Sequence, residues 1–205
     1  MNDGRTRPLA LPDLDPDPFT QFRVWFEQAR AEGVPLPEAC TIATSDARGR
    51  PSARMVLMKD TDDRGFTFAT NYGSRKGRDL AENPHAALLF YWHEQGRQVR
   101  VEGTVERLRP SESDAIFAAR PRAARISALA SEQSRPLPSR AALEERVDRL
   151  TAELEGSDVE RPEFWGGYRL TPEAIEFWQH AEDRLHRRFV YRREGDGWRV
   201  EELAP

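Results

Sequence analysis

The chain has 205 residues, 38% hydrophobic and 32% charged, enough apolar matter for one compact domain with a sizeable core. Its formal net charge of −4 and its scattered lysines and arginines exclude the basic stripe of a nucleic-acid binder, and residues 86–92, the longest apolar run, are too few to span a bilayer. The N-terminal residues show no signal-peptide pattern, Cys40 has no second cysteine to pair with, and the four histidines lack metal-ligand spacing, so a cytoplasmic, metal-free protein is expected.

Residues 1–16, rich in Pro, Asp and Arg, read as a mobile arm, and residues 17–205 as one domain. Asp17-Pro18 supplies an N-cap and a first-turn proline for a helix that places Phe19, Phe22, Phe26 and Ala29 on one face before Gly33. Beyond Ala39 the hydrophobic period falls to two. Residues 41–45, 52–59 and 66–71 form an antiparallel meander, a helix capped by Ser74 follows, and 86–94 and 98–108 are two further strands. Five strands with short turns predict a small barrel or strongly curled sheet. A helix begins at Pro110 and is interrupted by Pro121; residues 139–155 form another, with Leu143, Val147, Leu150 and Leu154 in a stripe suited to core or subunit packing. β-like runs return at 168–171, 174–179 and 188–193, and a turn at Glu194-Gly-Asp-Gly197 leads to a last run at 198–203. The expected fold is mainly β with helices packed outside, of the α+β class.

Charge is oddly placed in two stretches. Arg75 and Lys76 follow the Ser74 cap, where a helix carries about half a positive charge; they are either solvated surface cations or, with Ser74, a clamp for a phosphate. Near the other end, Arg184, His186 and Arg188 alternate, which on a strand puts all three on one face, as a solvated cationic edge or as a gathering of charge around an anion. Trp178 beside them is a flat apolar plate or a core residue. Arg54 and Lys59 stand five apart and point to opposite faces unless a bulge intervenes; Lys59 is a strand-end surface lysine or part of a site. No G-x-G-x-x-G, phosphate-binding P-loop, H-E-x-x-H or G-x-S-x-G motif is present.

Taken in order, Arg54-Met-Val-Leu-Met-Lys59, Thr70-Asn-Tyr-Gly-Ser-Arg-Lys76, Arg97-Gln98, Arg120-Pro-Arg122, Gln133-Ser134, Phe164-Trp-Gly-Gly167, Glu176-Phe-Trp178 and Arg184-Leu-His186 with Arg188 resemble the pyridoxine (pyridoxamine) 5′-phosphate oxidase family. The likeness runs from about Asp17 to the last residue. It implies an antiparallel FMN-binding split β-barrel with peripheral helices, and a homodimer holding two FMN at its subunit interface. By motif match, Arg54, Arg75 and Lys76 hold the phosphate and ribityl end of FMN, with the Ser74 cap in the same clamp. Lys59, Thr70, Gln98, Gln133, Ser134, Trp178 and Arg188 complete the cofactor site. Lys59, Arg120, Arg184 and His186 match substrate-binding positions, with Arg184 and His186 facing the ring being oxidised.

The departures concern substrate. The family's tyrosine and serine, which help hold a substrate phosphate, are matched here by Ile116 and Ala124, and Ser127-Ala-Leu129 stands for its Gly-Ala-Trp. Tyr91-Trp-His-Glu94 and residues 183–188 look like the phenazine-biosynthesis branch of the family, although that branch tends to lack Lys59. The resemblance thus implies an FMN-dependent oxidase passing electrons from a small anionic nitrogen heterocycle to O2 with release of H2O2, leaning to a reduced phenazine-type carboxylate. A vitamin B6 phosphate ester is the alternative, and a non-catalytic flavin-binding barrel the alternative of another class.

Overall fold

The structure, a computed structural model, describes residues 9–205. Helix α1 (Pro18–Ala31) starts where the Asp17 carboxylate accepts from the Phe19 and Thr20 amides, and Pro18 sits in the first turn, where a backbone N–H is not needed. Its apolar face carries Phe19, Phe22, Trp25 and Ala29 into the core. The Phe22 ring lies 4.8 Å from Phe66 and 5.1 Å from Phe90, edge-on to both.

The strands are β1 (Ala39–Ser45), β2 (Pro51–Asp62), β3 (Gly65–Asn71), β4 (His85–Trp92), β5 (Arg97–Arg107), β6 (Trp165–Gln179), β7 (Arg187–Glu194) and β8 (Gly197–Glu202). They pair antiparallel in the order β3-β2-β1-β4-β5-β6-β7-β8, and an added β3–β6 ladder closes the first six into a barrel. Helix α2 (Arg75–Glu82) joins β3 to β4, while α3 (Pro110–Ala118), α4 (Arg122–Ala130) and α5 (Arg140–Glu153) lie between β5 and β6. The fold is therefore the antiparallel split barrel with outer helices.

The barrel has six staves, one more than five contiguous strands would give. The sixth comes from far along the chain, where the sequence pattern breaks at Pro172 into two short runs but β6 is continuous over 15 residues. Pro172 is accommodated at a register shift opposite Glu102 and Gly103, where a ladder bond is already missing. Glycine is required on the facing strand, since a Cβ at Gly103 would stand 2.0 Å from the Thr171 carbonyl oxygen.

Outside the barrel, Phe117, Ile126, Val159 and Trp165 form a second apolar cluster, against which Val147, Leu150 and Leu154 of the α5 stripe pack. Leu143 is half-buried outside it. Residues 9–16 of the expected arm are tied to the body of the domain. The Leu9 amide donates to Gln179 Oε1 at 2.6 Å, the Tyr191 hydroxyl donates to the Asp15 carbonyl at 2.7 Å, and Leu9 is buried. These tertiary ties fix a segment without helical or strand periodicity, which is why composition alone suggests disorder; residues 1–8 of the arm lie outside the described residues. No helix among the described residues is long and apolar enough to cross a membrane.

Replacing Phe22 by alanine removes the ring that bridges α1 and the barrel, and the expected loss is about 3–5 kcal/mol. Urea unfolding followed by tryptophan fluorescence should show the midpoint falling with little change in slope.

Candidate functional site

Two groups of side chains bring the sequence-predicted residues together. The first gathers at the start of α2. Ser74, fully buried and with extended backbone, accepts from the Gly77 amide at 3.3 Å. Arg75 and Lys76 occupy the first turn, facing the positive end of the helix dipole, and there they diverge: Arg75 is exposed, while Lys76 retains 8% of its accessible surface. Lys76 Nζ donates to Thr70 Oγ1 at 3.0 Å and to Gln133 Oε1 at 3.2 Å, and the Thr70 hydroxyl donates to the same Gln133 oxygen at 2.9 Å. Both acceptors are neutral. Burial, and then the charge of Arg54, bring the Lys76 pKa down to about 8.

Arg54 faces the inside of the barrel opposite Ile42. Its Nη1 donates to Thr44 Oγ1 at 2.7 Å, and Nη2 lies 3.6 Å from Asp79 Oδ2. Burial lowers its pKa, Asp79 acts in the opposite direction and Arg75 adds to the lowering, so Arg54, Arg75 and Lys76 feel one another's charge. A buried ammonium satisfied only by neutral oxygens, with the Arg54 guanidinium acting on it and Arg75 acting on Arg54, is a place where an anion gains and water does not suffice.

The second group lies on the outer face of the sheet. Register places Tyr91, Gln98, Trp178 and Arg188 in one row across β4, β5, β6 and β7, and directly opposed residues share a face. Glu176, only 3% exposed, accepts from Arg188 Nε at 2.7 Å and from Arg100 Nη2 at 2.6 Å. Arg188 Nη1 also donates to the Ala204 carbonyl at 3.0 Å, tying the C-terminal segment to this row. The His186 ring centroid stands 4.7 Å from that of Trp178 and 5.3 Å from that of His180. Its Nδ1 accepts the Ala181 amide at 3.2 Å, so the neutral ring carries its proton on Nε2. Burial, then His180 and Arg184, hold its pKa below the ordinary histidine value.

Arg184, His186 and Arg188 do not share a strand face, contrary to the alternation in sequence. Asp183 and Arg184 have φ of 56° and 62° within a 3-10 turn, and β7 begins only at Arg187. Two successive left-handed residues break the extended geometry that the spacing argument needs. Three other residues stand apart from both groups. Lys59 lies exposed in a bulge of β2 between Met58 and Asp60, Ser134 is exposed with φ of 69° next to Gln133, and Arg120 stacks 4.9 Å above the Trp165 ring in the second cluster. Ile116 packs near Gly167 in that same cluster, and Ala124 is half-buried on α4.

Sequence reasoning missed Thr44, Asp79 and Glu176 as members of these groups. Nothing local marks the first two, which come from different elements. Glu176 could have been found: it is two residues from Trp178, hence on the same strand face.

An antiparallel split barrel with a partly buried cation clamp at a helix start, three cations against the one carboxylate of Asp79, defines a class, the split-barrel flavoproteins that bind FMN. Comparison with known proteins narrows it. The profile of the family described as Pyridoxamine 5′-phosphate oxidase matches residues 26–153, and that of the Pyridoxine 5′-phosphate oxidase C-terminal dimerisation region matches residues 165–205. The chain is similar to the pyridoxine/pyridoxamine 5′-phosphate oxidases of Paraburkholderia phymatum, 57% identical over 96% of this chain and 93% of that one, and of Rubrobacter xylanophilus, 55% identical over 96% and 91%. Among solved structures it resembles PhzG from Burkholderia lata 383 in complex with tetrahydrophenazine-1-carboxylic acid, with a TM-score of 0.92, 37% identity, and coverage of 98% of this chain and 100% of that one. The chain belongs to the pyridoxamine 5′-phosphate oxidase family; it is an oxidoreductase, and its cofactor is FMN. The donor set fits that group, because a phosphate ester supplies the anion that Lys76 lacks in the protein.

Glu176 joins two arginines on the outer face, so replacing it by alanine strands both charges. The expected loss is about 1–3 kcal/mol, moderated because the arginines reach solvent. Glu176→Gln, which keeps an acceptor, should lose less in the same urea titration.

Proposed function

We propose that the chain oxidises a small reduced nitrogen heterocycle bearing an anionic group, with O2 as final electron acceptor and H2O2 as co-product. The observation that carries this reading is the buried Lys76, held by neutral oxygens alone beside Arg54 and Arg75. In this reading Arg54, Ser74, Arg75, Lys76 and Thr70 hold the phosphate and ribityl end of FMN, and Lys59, Gln98, Gln133, Ser134, Trp178 and Arg188 complete the site. Bound FMN supplies the two-electron chemistry at the C–H next to nitrogen. Trp178 gives a flat wall; Arg184 and the Nε2–H of His186 orient the polar edge of the substrate ring, the proximity contribution to rate. His186 against Trp178, with the charge of Arg184 close enough to act on the imidazole, favours turnover over mere flavin storage. A homodimer with FMN at its interface, in the cytoplasm, belongs to the same proposal: Met55, Leu57 and Tyr91 are 61%, 39% and 54% exposed on the outer side of the sheet, and residues 165–205 match a dimerisation region.

For the substrate, the first reading is pyridoxine or pyridoxamine 5′-phosphate, supported by the names of relatives 53–57% identical to the chain. Lys59 and Arg120 are its phosphate-binding cations. The second reading is a reduced tricyclic carboxylate, favoured by one observation: Ile116 and Ala124 offer no hydroxyl where the family has two donors, and guanidinium pairs side-on with a planar carboxylate.

Two outcomes are expected. Lys76 is charged below about pH 8 and loses its proton above it, so the FMN dissociation constant of the flavin-depleted chain should be flat from pH 7 to 8 and then rise, by up to about tenfold per unit. Fluorescence titration reads this directly; a constant value to pH 10 contradicts the assignment of Lys76, and Lys76→Met should abolish the dependence. In steady-state assays of H2O2 release, the first reading expects a higher kcat/KM for pyridoxine phosphate than for a dihydrophenazine carboxylate. The reverse order selects the second reading, in which Ile116→Tyr with Ala124→Ser improves phosphate-ester binding by roughly 1.5–3 kcal/mol per restored hydrogen bond.

A further inference from the structure

Asp79 is a buried carboxylate in the middle of the cation cluster, a position where it would by simple charge repel a bound phosphate. It comes from α2, one turn beyond Arg75, and meets Thr44 of β1 and Arg54 of β2. Thr44 Oγ1 lies 2.6 Å from Asp79 Oδ2 and 2.7 Å from Arg54 Nη1. The polarity of this chain is forced by chemistry. A guanidinium can only donate and an ionised carboxylate can only accept, so the single Thr44 proton goes to Asp79 and its lone pair receives Arg54.

The carboxylate end and the middle of the relay are out of water: Asp79 and Thr44 are 6% and 3% exposed. Nη1 of Arg54 is engaged by Thr44, with the Ile42 carbonyl at 3.4 Å, and Nη2 faces Asp79, whereas its Nε–H has no acceptor among the described residues. The guanidinium is thus gripped by one edge and presents the other. Arg54, Arg75 and Lys76 against Asp79 leave two net positive charges, the complement of a phosphate dianion.

Resting on the assignment of the FMN phosphate to this clamp, we propose that Asp79, acting through Thr44, is the positioning residue that aims Arg54 at the cofactor phosphate. The relay fixes the Arg54 rotamer before the cofactor arrives, so less rotamer freedom is lost on binding. It also limits the mutual repulsion of the cations in the flavin-free protein.

The test compares two ligands that differ only by the phosphate. Fluorescence titrations of the flavin-depleted, full-length chain with FMN and with riboflavin are run on the parent, Asp79→Asn, Thr44→Val, Thr44→Ser and the double variant Arg75→Ala with Lys76→Ala. Positioning expects Asp79→Asn and Thr44→Val to weaken FMN roughly tenfold, to leave riboflavin unchanged, and to be spared in Thr44→Ser, which keeps the hydroxyl. Charge balance alone expects the opposite, since Asp79→Asn adds a positive charge; FMN bound as tightly or more tightly overturns the proposal. Equal losses for FMN and riboflavin overturn it too, because they mark a merely structural role. The double variant separates the two layers: if it still prefers FMN to riboflavin, the phosphate assignment itself fails, and if only Asp79→Asn and Thr44→Val keep the preference, the relay alone fails. Should Asp79→Asn not fold, the Thr44→Val and Thr44→Ser pair decides.

Discussion

The pairing of β3 with the first half of β6 is the interaction on which the molecule depends. Residues 66–71 meet 165–170, and this ladder turns a curled meander into a closed barrel. The same strand then continues past the barrel, where its second half, residues 174–179, pairs with β7. One strand therefore serves two sheets' worth of neighbours, and the switch falls at Pro172 and the register shift beside Gly103. Closure removes the sheet edges that β3 and β6 would otherwise expose. It also fixes Thr70, at the end of β3, relative to the loop that carries Gln133, and so sets the geometry around Lys76.

The anion clamp is built by the fold at some electrostatic expense. A helix start that buries Lys76 desolvates the ammonium, its hydrogen-bond acceptors among the described residues are neutral, and the Asp79 carboxylate of the same helix is engaged by Thr44 and Arg54. Functional sites are where such local conflicts are expected, since consistency elsewhere supplies the stability they consume. The outer face follows the other logic. There Glu176 bridges Arg188 and Arg100, Glu102 stands 3.4 Å from Arg100 Nε, and the two arginines are matched by two carboxylates beside the flat and polar groups of the row from Tyr91 to Arg188.

Much of this was legible in the sequence. The α1 face, the meander, the Ser74 cap and the stripe of α5 follow from periods and caps that act over a few residues, and the motif order carries the family. What escaped has a common cause. The alternation of Arg184, His186 and Arg188 suggests a strand, but Asp183 and Arg184 adopt left-handed backbone that no local pattern announces. Residues 9–16 look unstructured because their order comes from Gln179 and Tyr191, far along the chain. Asp79 finds Thr44 only because α2 is laid across β1, and Pro172 interrupts a strand in composition but not in space. Each depends on tertiary neighbours, for which propensity has no term.

The ties at the corner of β6 and β7 bear on how the chain folds. Leu9 meets Gln179 across 170 residues of sequence and Asp15 meets Tyr191 across 176, while Ala204 closes over Arg188 from the other end. Contacts so distant in sequence carry the largest loop-closure entropy and form only after the barrel they rest on. The corner that holds Trp178, His186 and Arg188 is thus expected to order late, even though β6 is a strand of the barrel itself. A ligand that binds only the completed corner would draw these last contacts toward completion by mass action.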